Sequence, residues 1–167
     1  MKYFKIDGQL TEEVVDGLVE FFNTHTEDKT IYISSNGGNV FYAEVIGDLL
    51  ALNKDTVTLV LGEHLHSSAV CLAFDFTGKK RFLPQGTISM LHFTNVDISA
   101  RDLHDEHSLA CLQVKEVAML NAKLLEKYFK YLTHEELELV QKGKEVWLGS
   151  ERTKQLILNE LPSMPSM

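Results

Sequence analysis

Cysteine and proline are scarce in this chain, positive charge is outweighed, and no long apolar run occurs. Only Cys71 and Cys111 are present among 167 residues. Both lie in apolar patterns and read as reduced core thiols. Of the three prolines, two fall in the last seven residues, LPSMPSM, so residues 162–167 are expected to form a loose tail. No apolar stretch approaches the roughly 20 residues that a helix needs to cross a bilayer. The opening MKYFKIDGQL lacks the long apolar stretch of a secretory signal, so a cytoplasmic location is expected. Lysine and arginine number 16 against 24 acidic residues, a net charge of -8, which argues against unassisted binding to nucleic acid or an anionic membrane. No internal repeat, low-complexity tract or linker is visible.

What remains is the composition of an ordinary soluble domain, 44% apolar and 24% charged, long enough for one core. A single domain over residues 1–161 is expected. Tyr3 to Ile6 reads as a short strand closed by a turn at Asp7-Gly8. Thr11 stands where a helix from Glu12 to about Thr24 would be capped, with Val14, Val15, Leu18, Val19, Phe21 and Phe22 as its apolar stripe. Thr30 to Ser34 is a buried strand. The loop Ser35-Asn36-Gly37-Gly38-Asn39 leads into a helix from Val40 to Leu52, and Thr56 to Leu61 is the next strand. Strand, glycine turn, helix and strand at this spacing predict a right-handed βαβ unit and a parallel sheet. A helix over Ser67 to Phe76 follows, then strands at Arg81 to Leu83 and Ile88 to Leu91. From Ser99 to Leu132 the pattern is one long helix. Leu103, Ala110, Val117, Leu124 and Tyr131 form one row along it, with His107, Val114, Asn121 and Tyr128 beside them. Helices at Glu135 to Gln141 and Ser150 to Asn159 flank a short segment, Lys144 to Leu148.

The chemistry-bearing residues cluster between Gly62 and His92. Ser67 and Ser68 stand at a helix start, where a serine is either a nucleophile or an N-cap. His92 ends a strand, as a hydrogen-bonded core residue or as a base. Gly37 and Gly38 allow a backbone N–H to point outward at a helix N-terminus, as an oxyanion hole requires; a plain tight turn would use the same dipeptide. Glu145 is the acid best placed by chain order to orient His92, and is otherwise a solvated charge. His64 and His66 alternate like side chains on one strand face. Two clustered ligands do not make a metal site, and Asp102 to His107 reads as a wet helix face. No metal and no cofactor are expected.

In order along the chain, FKIDGQL, IYISSNGGNV, LVLGEHLHSSAV, GKKRFLP, SMLH and KEVWLGSERTKQLILNE resemble six segments of the proteolytic subunit of the Clp protease. The counterparts include YINSPGG, GQAASMGA, GKRFCLP and VMIH in that family. The resemblance covers almost everything from Phe4 to Leu161. It implies an α/β fold of the Clp/crotonase-like kind, a spiral of βαβ units with a long protruding helix. It also implies a serine peptidase with a Ser-His-acid triad. The histidine maps to His92, and the acid maps to Glu145, counted back from Trp147.

The nucleophile slot has more than one occupant by counting. Forward from Gly62, or back from the RFLP block, it falls on His66. Back from His92 by the family's serine-to-histidine spacing, it falls on Ser67, with Ser68 in reserve. With Ser67 as nucleophile, the oxyanion donors are the N–H groups of the Gly37-Gly38 loop and of Ser68. With His66 in the slot, the chain is a ring-forming scaffold that has lost the reaction. A crotonase-type acyl-CoA enzyme shares the spiral, but no adenine-binding basic cluster is found. The resemblance implies peptide or unfolded polypeptide as substrate and a ring-shaped homo-oligomer assembled through the long helix. The chain begins almost at the family's first core strand, so partnership with an ATP-driven unfoldase is not carried over.

Overall fold

The computed structural model describes residues 2–95 and 108–162. These fall into two compact units. The first comprises Met1–Leu91 and Val146–Met167, and the second is His92–Glu145.

The first unit is built on a parallel sheet. Strand β1 (Lys2–Leu10) pairs with β2 (Lys29–Gly38), which pairs with β3 (Val57–His66). Strands β4 (Lys79–Phe82) and β5 (Ile88–Leu91) both lie along β3, on successive stretches of it. Strand β6 (Val146–Leu148) closes the sheet antiparallel to β5. Ile6, Ile31, Ile33, Leu59 and Leu61 are fully buried, whereas Tyr32 and Val60 between them are half-buried. The period-two alternation thus sends the branched apolar residues to the helix-covered face. Burial of each such side chain contributes about 1.5–3 kcal/mol relative to exposure.

Helices α1 (Glu12–Thr24), α2 (Val40–Leu52), α3 (Ser68–Asp75) and α6 (Ser150–Ile157) complete this unit. Leu18 and Phe22 are the buried part of the α1 stripe, and Ala43, Ile46 and Leu50 are the buried residues of α2. Helix α3 is the central one, with Ser68, Ala69, Val70, Leu72, Ala73 and Phe74 all buried. A buried hydroxyl pair, Ser89 Oγ and Thr153 Oγ1 at 2.9 Å, ties β5 to α6.

Three strands run longer than the pattern predicts. β1 continues through Asp7-Gly8, because Gly8 with φ of 88° absorbs a bulge rather than closing a turn. β2 continues through the expected loop to Gly38, with Gln9 opposite Gly37 and Leu10 opposite Gly38. β3 continues past Gly62 to His66. In each case ladder hydrogen bonds from the neighbouring strand override a local turn signal.

The second unit holds α4 (Leu109–Tyr128), a 3-10 turn at Phe129–Tyr131 and α5 (His134–Gln141). Ser108 caps α4, its hydroxyl accepting from Cys111 N at 3.1 Å, and a reciprocal capping box joins Thr133 and Glu136 at the start of α5. The expected long helix therefore ends at Tyr128. Its proposed start at Ser99, with Leu103 and the cluster Asp102 to His107, lies outside the described residues. Among those described, no helix is long and apolar enough to cross a membrane.

Lys80 on β4 donates from Nζ to the carbonyls of Phe74 in α3 and Ile157 in α6, at 3.3 and 3.0 Å. It thus serves two helix C-termini at once. Burial pushes its pKa down from the ordinary 10.5 to about 8, with Asp75 opposing the change. Between those two values the unfolded chain holds a proton that the folded chain has released. The contribution of Lys80 to stability therefore rises as pH goes from about 8 to about 10.5. Denaturant melts of the wild type and Lys80→Met across that window should show wild-type stability gaining on the variant as pH rises.

Candidate active site

Strand β3 leads to the site through an irregularity. Two steps along β2, Ile33 to Ser35, match four along β3, Leu61 to Leu65. Within this bulged stretch β3 exchanges β4 for β5 as neighbour, from Leu61↔Phe82 to His64↔Ile88. Gly62 suits the place, since a Cβ there would lie 2.5 Å from the Tyr32 hydroxyl.

His66 is the last residue of β3 and pairs with Met90. Its ring lies edge-on to Trp147 and tilted on His64, both with centroids 5.0 Å away. His64 in turn places Nδ1 3.1 Å from Ser34 Oγ. The His64–His66 pair is therefore part of an aromatic and hydroxyl row, and no group of three metal-binding side chains occurs among the described residues.

Ser67 is the sole residue between strand β3 and helix α3. Its N–H still donates to the Met90 carbonyl at 2.8 Å, but its φ of 54° and ψ of -126° turn the chain sharply into the helix. A non-glycine residue in this region costs on the order of 1–3 kcal/mol, and such strain concentrates at functional turns. The turn is thus a strained strand-to-helix elbow with Ser67 at its tip. Ser67 is half-buried and its side chain makes no capping hydrogen bond. Ser68 is 6% exposed, and its hydroxyl donates to the Gly38 carbonyl at 3.3 Å. Of the two, Ser68 is a structural tie between α3 and β2.

Gly37 comes close to the same turn. A Cβ on it would lie 2.6 Å from the His66 carbonyl and 2.9 Å from Ser67 Cβ, so only glycine fits, quite apart from its φ of 82°. Gly38 is held instead against Leu10, whose carbonyl a Cβ would meet at 2.8 Å. The structure thus brings Gly37, Ser67 and Ser68 to one corner. The Gly37 N–H donates to Ser35 Oγ at 3.1 Å, a partner not anticipated from the sequence.

His92 and Glu145 belong to the second unit, at its two ends in the chain. The antiparallel register pairs Leu91 with Val146, so His92 and Glu145 are the next residues outward on the two segments. Glu145 is exposed and His92 half-buried. The Nδ1 of His92 lies 2.6 Å from the Phe93 carbonyl. A carbonyl only accepts, so this bond requires a proton on Nδ1; in the neutral ring Nε2 is then the nitrogen with the free lone pair. The acceptor at Nδ1 is main chain, where sequence pointed to a carboxylate.

A family model for Clp protease matches residues 3–156. The chain belongs to the Clp protease family. A solved structure of a ClpP1 point mutant from Listeria monocytogenes is similar over 98% of this chain and 92% of that one, with 19% identity and a TM-score of 0.63. The fold is therefore the Clp/crotonase-like α/β fold that the six sequence segments implied. No curated protein matches the chain.

The elbow strain gives a stability test. Ser67→Ala keeps the strained φ, whereas Ser67→Gly relieves it, so Ser67→Gly should be the more stable of the two by about 1 kcal/mol. Paired thermal or urea melts check this, and equal stability would mean that residue 67 carries no strain.

Proposed function

We propose that this member of the Clp protease family is a serine-type peptidase that cleaves peptide bonds, with Ser67 as nucleophile. The observation that carries the reading is the Ser67 backbone. A strained φ falls on a non-glycine residue at the junction of a parallel strand and a buried helix, and the Ser67 side chain makes no capping hydrogen bond there. In this reading Ser67 Oγ attacks the substrate carbonyl, His92 Nε2 takes its proton, the Phe93 carbonyl keeps Nδ1–H, and Glu145, the acid that the resemblance assigns, offsets the imidazolium by charge. The N–H groups of Ser68 and of the Gly37-Gly38 segment face the developing oxyanion. The Gly37 N–H exchanges Ser35 for the oxyanion as charge builds. The substrate class is peptide or unfolded polypeptide, with no metal or cofactor and a cytoplasmic setting.

A second reading, a scaffold without peptidase activity, draws on that same Gly37–Ser35 bond and on the Phe93 acceptor at His92. A labelled fluorophosphonate separates the two. Wild type and Ser68→Ala should be modified, and Ser67→Ala should not. If wild type stays unmodified while another Clp-family peptidase reacts in parallel, the scaffold reading replaces the first.

Both readings include a ring-shaped homo-oligomer. Helix α4 supports it, leaving Leu109 72% and Met119 63% exposed, with Leu112 and Val114 also open. Apolar residues exposed along one helix in a small chain are characteristic of interaction surfaces. Sedimentation velocity should give a species many times heavier than 18.9 kDa, and Leu112→Glu with Met119→Glu should shift it toward monomer. Sedimentation of the wild type only as monomer would remove the oligomer from both readings.

A further inference from the structure

One polar residue in the apolar rows of α4 has a specific task. Asn121 accepts from the Thr94 N–H through Oδ1 at 2.9 Å and donates from Nδ2 to the Thr94 carbonyl, also at 2.9 Å. Its carboxamide thus satisfies both main-chain groups of one residue, as a neighbouring strand would. Thr94 and Asn121 belong to the second unit, as does His92.

The Thr94 N–H shares a planar peptide group with the Phe93 carbonyl, and in the trans form the two point in opposite directions. That carbonyl is the acceptor 2.6 Å from His92 Nδ1. Oδ1 of Asn121 therefore holds one end of the peptide plane whose other end holds the imidazole. Hydrogen bonding at the N–H also polarises the peptide and strengthens its carbonyl as an acceptor. Sequence alone gave Asn121 only a place in a helical row.

We infer that Asn121 is a positioning residue for His92, acting through the Phe93–Thr94 peptide to fix the ring as the Nδ1–H tautomer with Nε2 unprotonated. This neutral relay orients the histidine, which a triad ordinarily leaves to its carboxylate. The role as base rests on the peptidase reading, whereas the tautomer does not.

The test is nitrogen NMR of protein labelled with 15N-histidine, at a pH where the ring is neutral, with His92→Gln assigning the signal. Wild type should show Nδ1 protonated and Nε2 bare. Asn121→Leu removes both amide bonds and should give a mixture of tautomers. Asn121→Asp keeps an acceptor for the Thr94 N–H and should retain the wild-type tautomer. Turnover of a peptide substrate should fall at least about tenfold in kcat for Asn121→Leu, with KM changed less than about twofold, within the range that a positioned base contributes. Wild type with Nε2 protonated overturns the inference whatever the variants do, including a failure of Asn121→Leu to fold. So does loss of the tautomer in Asn121→Asp. Absence of turnover in a wild type that carries the expected tautomer would count against the peptidase reading and leave the relay standing.

Discussion

The parallel pairing of β3 with its neighbours constrains the first unit more than any other interaction. β3 carries β2 along one edge and, on the other, β4 and then β5. A strand with two successive partners must bend between them, and the bulge between Leu61 and Leu65 takes up that bend. Past it, β3 is held only through His66, and Ser67 turns the chain in one residue into a helix that is buried almost throughout. The strain at Ser67 is stored because both sides are fixed. Its N–H stays in register with Met90, while α3 is committed to the core.

The residues around this turn follow from that geometry. So close a turn leaves no room for a side chain on β2, and Gly37 is the consequence. Ser68 is directed back to the Gly38 carbonyl, which holds the helix start against β2. His66, as the last ladder residue, keeps its ring among the strand side chains beside Trp147. Three consecutive polar residues, His66-Ser67-Ser68, thus have three different surroundings, and only the middle one lies at the tip of the turn.

In the second unit the histidine segment is held by amide chemistry. Asn121 secures Thr94 by two bonds, and the peptide before Thr94 meets His92. A carboxamide holds both a donor and an acceptor in one plane, which apolar seam residues cannot do. This gives the asparagine between Val114 and Tyr128 in its row along α4 a task its neighbours cannot perform.

Much of the architecture was legible in the residues themselves. The stripe of α1, the helix α2, strand β5 and the βαβ order depend on local patterning of the chain. So did the family, because six short segments in order carry it. Turn signals misled where a neighbour supplied hydrogen bonds, at Asp7-Gly8, at the Ser35–Gly38 segment and at Gly62. The different surroundings of His66, Ser67 and Ser68 were not legible, because backbone angles and hydrogen-bond partners are set by the fold and leave no mark on composition. The positive φ of Ser67 distinguishes its backbone from those of its two neighbours. The Asn121 relay was likewise invisible, since it joins residues far apart in the chain through a main-chain group that no side chain announces. Periodicity and motif order therefore determined the frame, and tertiary structure alone decided which polar groups meet, because hydrogen-bond partners are chosen by position in space.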